Sequence, residues 1–204
     1  MFRKLSLQEG EIAVKLARKA IDTFFKNRII MPPPTNLPEV FYEKRGVFTT
    51  LHTYPDHNLR GCIGFPEPIL PLAEAIIESA ISAAFRDPRF PPLTYDEFQN
   101  VVVEVTILTP PQEIKFSNPQ ELMEQIKIGE DGLIVKCGFH SGLLLPQVPV
   151  EYNWTVEEFL AHTCMKAGLP PDCFLNPECK WYKFQGQIFE EKYPNGEVIE
   201  KKLK

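Results

Sequence analysis

The chain has 204 residues, 44% of them hydrophobic and 24% charged, with 22 basic against 27 acidic side chains. A chain of this length buries roughly 70% of its unfolded surface, so it needs neither metal nor disulfide to hold a core. A net charge of −5 repels polyanions and excludes nucleic acid as the expected partner, and no apolar run approaches the ~20 residues that cross a bilayer, which excludes a membrane span.

Ser6-Leu7-Gln8-Glu9 is a capping box that opens a helix reaching about Phe25. Ile12, Ala13, Leu16, Ala20 and Phe24 share one helical face, and Lys15, Arg18, Lys19, Asp22 and Lys26 share another; Pro32-Pro33-Pro34 forbids continuation. Val40–Lys44 and Val47–Tyr54 are predicted strands, Pro55–Asn58 is a turn, and Leu59–Phe65 returns as a third strand. From Leu72 an apolar stripe (72, 73, 76, 77, 80, 81, 84) predicts a helix that stops before Asp87-Pro88. Thr94 caps a short helical turn, and Val101–Leu108 is a strand with Val101, Val103, Val105 and Ile107 on one face. On its other face Glu104 is expected to pair with a basic residue across the sheet.

Pro110-Pro111 opens a compact insert. It holds a strand at Glu113–Phe116, a helix starting at Asn118-Pro119, and a hairpin of Leu133–Cys137 with Leu143–Leu145. Thr155 caps a further helix closed by Gly168. Trp181–Glu191 is a strand, and a last charged strand, expected to fray, follows the Tyr193–Gly196 turn; Lys201-Lys202 is expected to be a solvated end. The fold class is therefore α+β: a five-stranded antiparallel sheet flanked by helices, with a smaller three-stranded α+β subdomain inserted. The larger part spans 1–109 plus 150–204 and the smaller 110–149.

The segment Leu59-Arg60-Gly61-Cys62-Ile63-Gly64 holds the chemistry. In an extended strand Arg60 and Cys62 share a face, and a guanidinium beside a thiol favours the nucleophilic thiolate. Gly61 and Gly64 remove bulk, so a ligand or another backbone can approach. Arg86 and Arg89 suit either capping of a helix end or two-pronged binding of a carboxylate or phosphate, with Asp87 holding one of them. His52 and His57 are near Cys62 in sequence, which permits a cysteine–histidine couple, although His57 reads first as a turn residue. His162 lies on a helix face with Thr155 and Glu158, open to solvent or a cleft, and Gln147 is a donor and acceptor at a subdomain border. Cys164 is read as core. The five cysteines have no C-x-x-C spacing, so no zinc site is expected. A polar start without an apolar signal core makes the expected compartment the cytoplasm, with reduced thiols and a short-loop Cys173–Cys179 bond as the alternative. The phosphate-loop, dinucleotide, serine-hydrolase and zinc-protease signatures are missing, and no cofactor is implied.

Leu59–Gly64, Ala84-Phe-Arg-Asp-Pro-Arg-Phe-Pro-Pro92 and Glu104–Pro110 resemble the AMMECR family, as do Asp131–Ile134, Leu144–Val148, Glu158–His162 and Lys166–Leu169. The match runs in order over roughly residues 10–190, and its Leu-Arg-Gly-Cys-Ile-Gly hexapeptide is the family hallmark. The resemblance implies an α+β fold in two unequal parts, the larger built from both chain ends. It also implies a pathway shared with Memo-like and radical-SAM proteins, beside which some relatives are encoded or to which they are fused.

Two functional readings stay open. In one, a cleft between the parts binds a small anionic ligand or substrate, with Cys62 as nucleophile or redox thiol. Arg60, Gly61, Gly64, Arg86, Arg89, Gln147 and His162 are then its contacts. In the other, the same residues form a non-catalytic face for a protein partner such as a Memo-like protein. A purely structural role for the hexapeptide is the third alternative.

Overall fold

A computed structural model describes residues 3–202. The Ser6 hydroxyl accepts the Glu9 N–H, the Glu9 carboxylate accepts the Ser6 N–H, and helix α1 runs Leu7–Asn27 until Arg28 turns left-handed at φ 56°. Ala13, Val14, Ala17, Ala20 and Ile21 are completely buried along it. One member of its charged face is buried too. Arg18 donates from Nε and Nη2 to the Glu191 carboxylate and from Nη2 to the Val101 carbonyl.

Residues 40–44 do not form the expected strand. Glu39–Tyr42 is a 3-10 turn that buries the adjacent residues Val40 and Phe41 together, whereas a strand would send neighbours to opposite faces. The strands and helices that follow are β1 (Val47–Thr53), β2 (Leu59–Phe65), α2 (Leu72–Phe85), α3 (Tyr95–Phe98) and β3 (Val101–Leu108). Next come β4 (Gln112–Ile114), α4 (Pro119–Glu124), β5 (Asp131–Cys137), β6 (His140–Leu144), α5 (Gln147–Glu151), α6 (Val156–Lys166), β7 (Lys180–Glu191) and β8 (Val198–Lys201).

The described chain forms two compact units, residues 3–108 with 187–202 and residues 109–186. In the first, β1 lies between β2 and β3 with both pairings antiparallel, and the C-terminal end of β7 pairs with β8. The last strand is therefore held rather than frayed. Helices α1 and α2 share one core with the odd-numbered residues of β1 and β3: Val47, Leu51, Val101, Val103, Val105 and Ile107. Helix α2 is rich in alanine at 73, 75, 80, 83 and 84, and such small side chains let a helix sit close to a sheet. The Thr49 and Ser79 hydroxyls bond at 2.7 Å and tie β1 to α2 inside this core.

The second unit has four strands among its described residues, because the N-terminal half of β7 pairs there with both β4 and β5, and β5 also pairs with β6. The boundary expected at residue 149 falls instead at residue 186. Phe159, Leu160 and Cys164 of α6 share a core with Leu133, Val135 and Trp181, which draws α6 and the first half of β7 into this unit. Its cysteines overturn the expectation of reduced thiols: Cys137 pairs with Cys179, and Cys164 with Cys173. The register that sets Lys136 opposite Lys180 brings the first pair together, and the expected Cys173–Cys179 bond is not formed. Cys62 is the free cysteine among the described residues.

Gly61 shows how close α2 lies. A Cβ there would overlap the Ala83 carbonyl oxygen, a backbone atom with no freedom to turn aside. Gly61→Ala is expected to lower stability by about 2–3 kcal/mol, the cost of overpacking, as measured by urea unfolding; an unchanged midpoint would contradict this packing.

Candidate functional site on the edge strand

Strand β2 carries the hexapeptide at the end of the sheet order. Its register pairs Leu51 with Gly61 and His52 with Leu59, so Arg60 is the extra residue of a bulge. The alternation that would set Arg60 beside Cys62 is broken at this point. Arg60 turns to α3, where Nε and Nη2 donate to Glu97 at 3.0 and 3.1 Å and Nη2 donates to the Pro91 carbonyl at 3.0 Å. Its Nη1 is buried without a hydrogen-bond partner. The Arg60 bonds lower the Glu97 carboxyl to about 2.

The space freed by the two glycines is taken by the protein itself, at Gly61 by the Ala83 carbonyl and at Gly64 by the Phe48 ring and the Val47 carbonyl. The glycines shape the strand's seat and do not open it to a ligand.

Cys62 turns both backbone groups away from β1. Its N–H donates to Asp87 Oδ2 at 2.9 Å, and its carbonyl accepts from Arg89 Nη2 at 3.2 Å. Arg89 in turn donates to Asp87 through its backbone N–H and through Nε and Nη2, at 3.1, 3.0 and 2.8 Å. The Asp87–Arg89 pair thus offers β2 one acceptor and one donor, as a neighbouring strand would. Hydrogen bonds from Arg89 hold the buried Asp87 carboxyl far below the ordinary carboxylate range.

Because those backbone groups face outward, Cys62 and Thr50 form a non-hydrogen-bonded pair, the kind whose side chains lie closest. The Thr50 hydroxyl donates to Cys62 Sγ at 3.2 Å. Glu104 is opposite Thr50 on β3, so the three side chains stand in one row on the face turned away from α1 and α2. Glu104 has its basic partner: Lys201 Nζ lies 3.1 Å from it and 3.4 Å from Glu190. Lys201 is therefore an ion-paired residue and not a solvated end. Burial pushes the Cys62 thiol up, and the Glu104 and Asp87 charges add to this against the Thr50 bond and the Arg89 charge. Burial likewise raises the Glu104 carboxyl, against the pull of Lys201.

Arg86 stands apart, with an exposed side chain and Glu78 at 3.9 Å. Gln147 and His162 belong to the second unit. Gln147 Oε1 is buried without a hydrogen-bond partner, and His162 stacks on Trp154 with ring centres 3.9 Å apart. His52 and His57 do not couple to Cys62; they stack on each other at 4.3 Å beside Glu190, and burial lowers the His52 imidazole to about 4. What the sequence left unseen is Phe90, whose ring lies 5.8 Å from the Arg60 guanidinium carbon and 5.5 Å from that of Arg89. Its place between two prolines and two arginines was the available signal. A cavity of about 340 Å³ in the first unit is lined by Lys15, Lys19, Tyr95 and neighbours and includes none of these residues.

The AMMECR1 family model matches residues 14–189. Protein MJ0810 of Methanocaldococcus jannaschii is 61% identical over 201 residues, covering 98% of this chain and 99% of the relative. Protein MK0488 of Methanopyrus kandleri is 54% identical, covering 100% of this chain and 98% of its own. The crystal structure of uncharacterized protein PH0010 from Pyrococcus horikoshii superposes with a TM-score of 0.88 at 54% identity, over 96% of this chain and 98% of that one. No described helix is long and apolar enough to cross a membrane.

The Arg60–Glu97 pair gives a pH test. Glu97 has a folded pKa of about 2 against an ordinary 4.5, so its contribution is present above about pH 4.5 and is lost as pH falls towards 2. Glu97→Gln keeps the capping box, which accepts glutamine, and removes the charge. Wild type is expected to melt a few degrees above this variant at pH 7 and level with it near pH 2; a difference that does not change with pH would contradict the assignment.

Proposed function

The chain belongs to the AMMECR1 family, and from that premise and the geometry of β2 we propose that it binds a small anionic molecule, a carboxylate or phosphate, between Arg60 and Arg89 beside Cys62. The observation that carries this reading is the pairing of two guanidinium groups around the one Phe90 ring, with Arg60 Nη1 buried and unpartnered. A buried donor without an acceptor costs roughly 1–3 kcal/mol, more when it is charged. An anionic oxygen is the group that satisfies it, and a planar guanidinium is the side chain suited to hold it. Arg89 has more than half of its side chain exposed, which leaves it able to meet a ligand while it braces β2. Glu97 and Asp87 keep the two arginines in position and partly cancel their charge, which favours a compact anion with directed oxygens over a diffuse polyanion.

In this reading Cys62 contributes a neutral thiol. Burial opposes thiolate formation, and an arriving anion opposes it further. Cys62 then acts as a weak S–H donor at the rim of the site and not as a preformed nucleophile.

Two measurements test this. Inorganic phosphate and small mono- and dicarboxylates should raise the melting temperature in a concentration-dependent way, with the effect lost in Arg89→Met and kept in Cys62→Ser. Alkylation of Cys62, the free thiol, should be slow at pH 7.5, rise with a midpoint above the usual thiol value of about 8.5, and slow further with the stabilising anion present. Failure of every anion to stabilise the wild type, or equal stabilisation of Arg89→Met, would defeat the proposal.

A further inference from the structure

His52 on β1, His57 in the turn after it and Glu190 on β7 form a second cluster that the anion site does not use. One ligand atom from each of the three lies within 4.8 Å of the other two. Glu190 Oε1 is 2.7 Å from His57 Nε2 and 3.7 Å from His52 Nδ1. At 2.7 Å a ring nitrogen ordinarily donates to a carboxylate oxygen. Here it does not: Oε1 and His52 Nδ1 are both buried, and neither has a hydrogen-bond partner. The atoms are close without being aligned as donor and acceptor, and Glu190 is only 6% exposed. A buried carboxylate oxygen and a buried imidazole nitrogen left unpaired at one point are costly for a fold to keep. A shared electrophile satisfies both.

We infer that His52, His57 and Glu190 bind a divalent transition-metal ion. Two imidazoles and one carboxylate are the donor set of zinc and of other late first-row dications, with further coordination positions open to water or a ligand. Bonds of about 2.0–2.2 Å place neighbouring ligand atoms roughly 3–3.5 Å apart, so the cluster reaches this geometry by small side-chain movements. His57 is able to supply them: its side chain is 46% exposed, which also gives the ion an entry path. It holds φ at 57°, in the left-handed region that turns its ring back towards β1. Lys201 lies 3.4 Å from the Glu190 carboxylate on Oε2, leaving Oε1 to the cluster, and Glu104 faces the same ammonium at 3.1 Å. Two carboxyl groups share this one ammonium, so acidic groups outnumber Lys201 where a dication would sit.

The test uses the full chain, stripped with a chelator and free of any affinity tag, titrated with cobalt(II) or zinc(II) alone. One equivalent should bind by calorimetry, and cobalt should show ligand-field bands without the sulfur charge-transfer band that Cys62 would give. His57→Asn removes the imidazole and keeps a residue that tolerates the left-handed turn. It should weaken binding at least about a hundredfold, since loss of outer-sphere partners alone costs roughly 10–100-fold. Glu190→Gln should do the same, while Cys62→Ser and Arg89→Met bind like the wild type. That last comparison keeps this site separate from the anion site. Should Glu190→Gln fail to fold, as read by circular dichroism, the exposed His57→Asn still decides. Absence of stoichiometric binding to the wild type, or equal affinity in His57→Asn, would overturn the inference.

Discussion

Asp87 lies behind the edge strand, nearly without contact with solvent, and accepts the Cys62 amide together with the amide and guanidinium of Arg89. Arg89 closes the circuit by donating to the Cys62 carbonyl. A buried carboxylate is stable only when its charge is compensated and its oxygens are saturated, and here both conditions hold. The consequence spreads along β2. With the outward backbone groups of Cys62 taken up, the middle of this edge strand is closed to pairing with another strand, its polar face is fixed next to Thr50, and the bulge delivers Arg60 to α3. The hexapeptide, Asp87, Arg89 and Glu97 therefore form one interlocked unit.

The first unit's sheet separates two chemistries by face. Towards α1 and α2 it presents aliphatic residues, with polar links from Thr49 to Ser79 and from Arg18 to Val101 and Glu191. On its other face a row runs from Cys62 through Thr50 to Glu104, continues through Lys201 to Glu190, and ends at the two histidines. Perturbed protonation is concentrated along this row: a raised thiol, a raised carboxyl and a lowered imidazole. Ionisable groups in such surroundings are expensive for a fold to keep and tend to mark sites of binding or chemistry.

Much of the fold was legible in local patterns. The three capping boxes at Ser6, Thr94 and Thr155 mark helix starts because they satisfy backbone donors within four residues, a purely local requirement. The apolar alternation of β3 and the stripe of α2 report burial directly. The site was less legible because its contacts are set by register and not by spacing. Glycine inside a strand marks either a bulge or a close approach, and the local sequence does not say which, so Arg60 was expected next to Cys62. The glycines point to close approach, but whether a ligand or Ala83 approaches depends on where α2 lies. The Cys137–Cys179 bond follows from the β5–β7 register. Likewise His52, His57 and Glu190 meet only once β7 joins this sheet, which is why the cluster was invisible as a motif. The one cross-strand expectation that did hold, a basic partner for Glu104, rested on the general cost of a lone buried carboxylate.

The role of Asp87 as a substitute strand is tested most directly by amide hydrogen exchange at Cys62. This amide faces outward from an edge strand, where exchange is ordinarily fast, yet it should be protected in the wild type. In Asp87→Asn, loss of a charge-assisted bond of about 1.5–3 kcal/mol should speed its exchange at least about tenfold, while amides of β1 that bond to β3 change little. Equal Cys62 exchange in the two proteins would contradict the account.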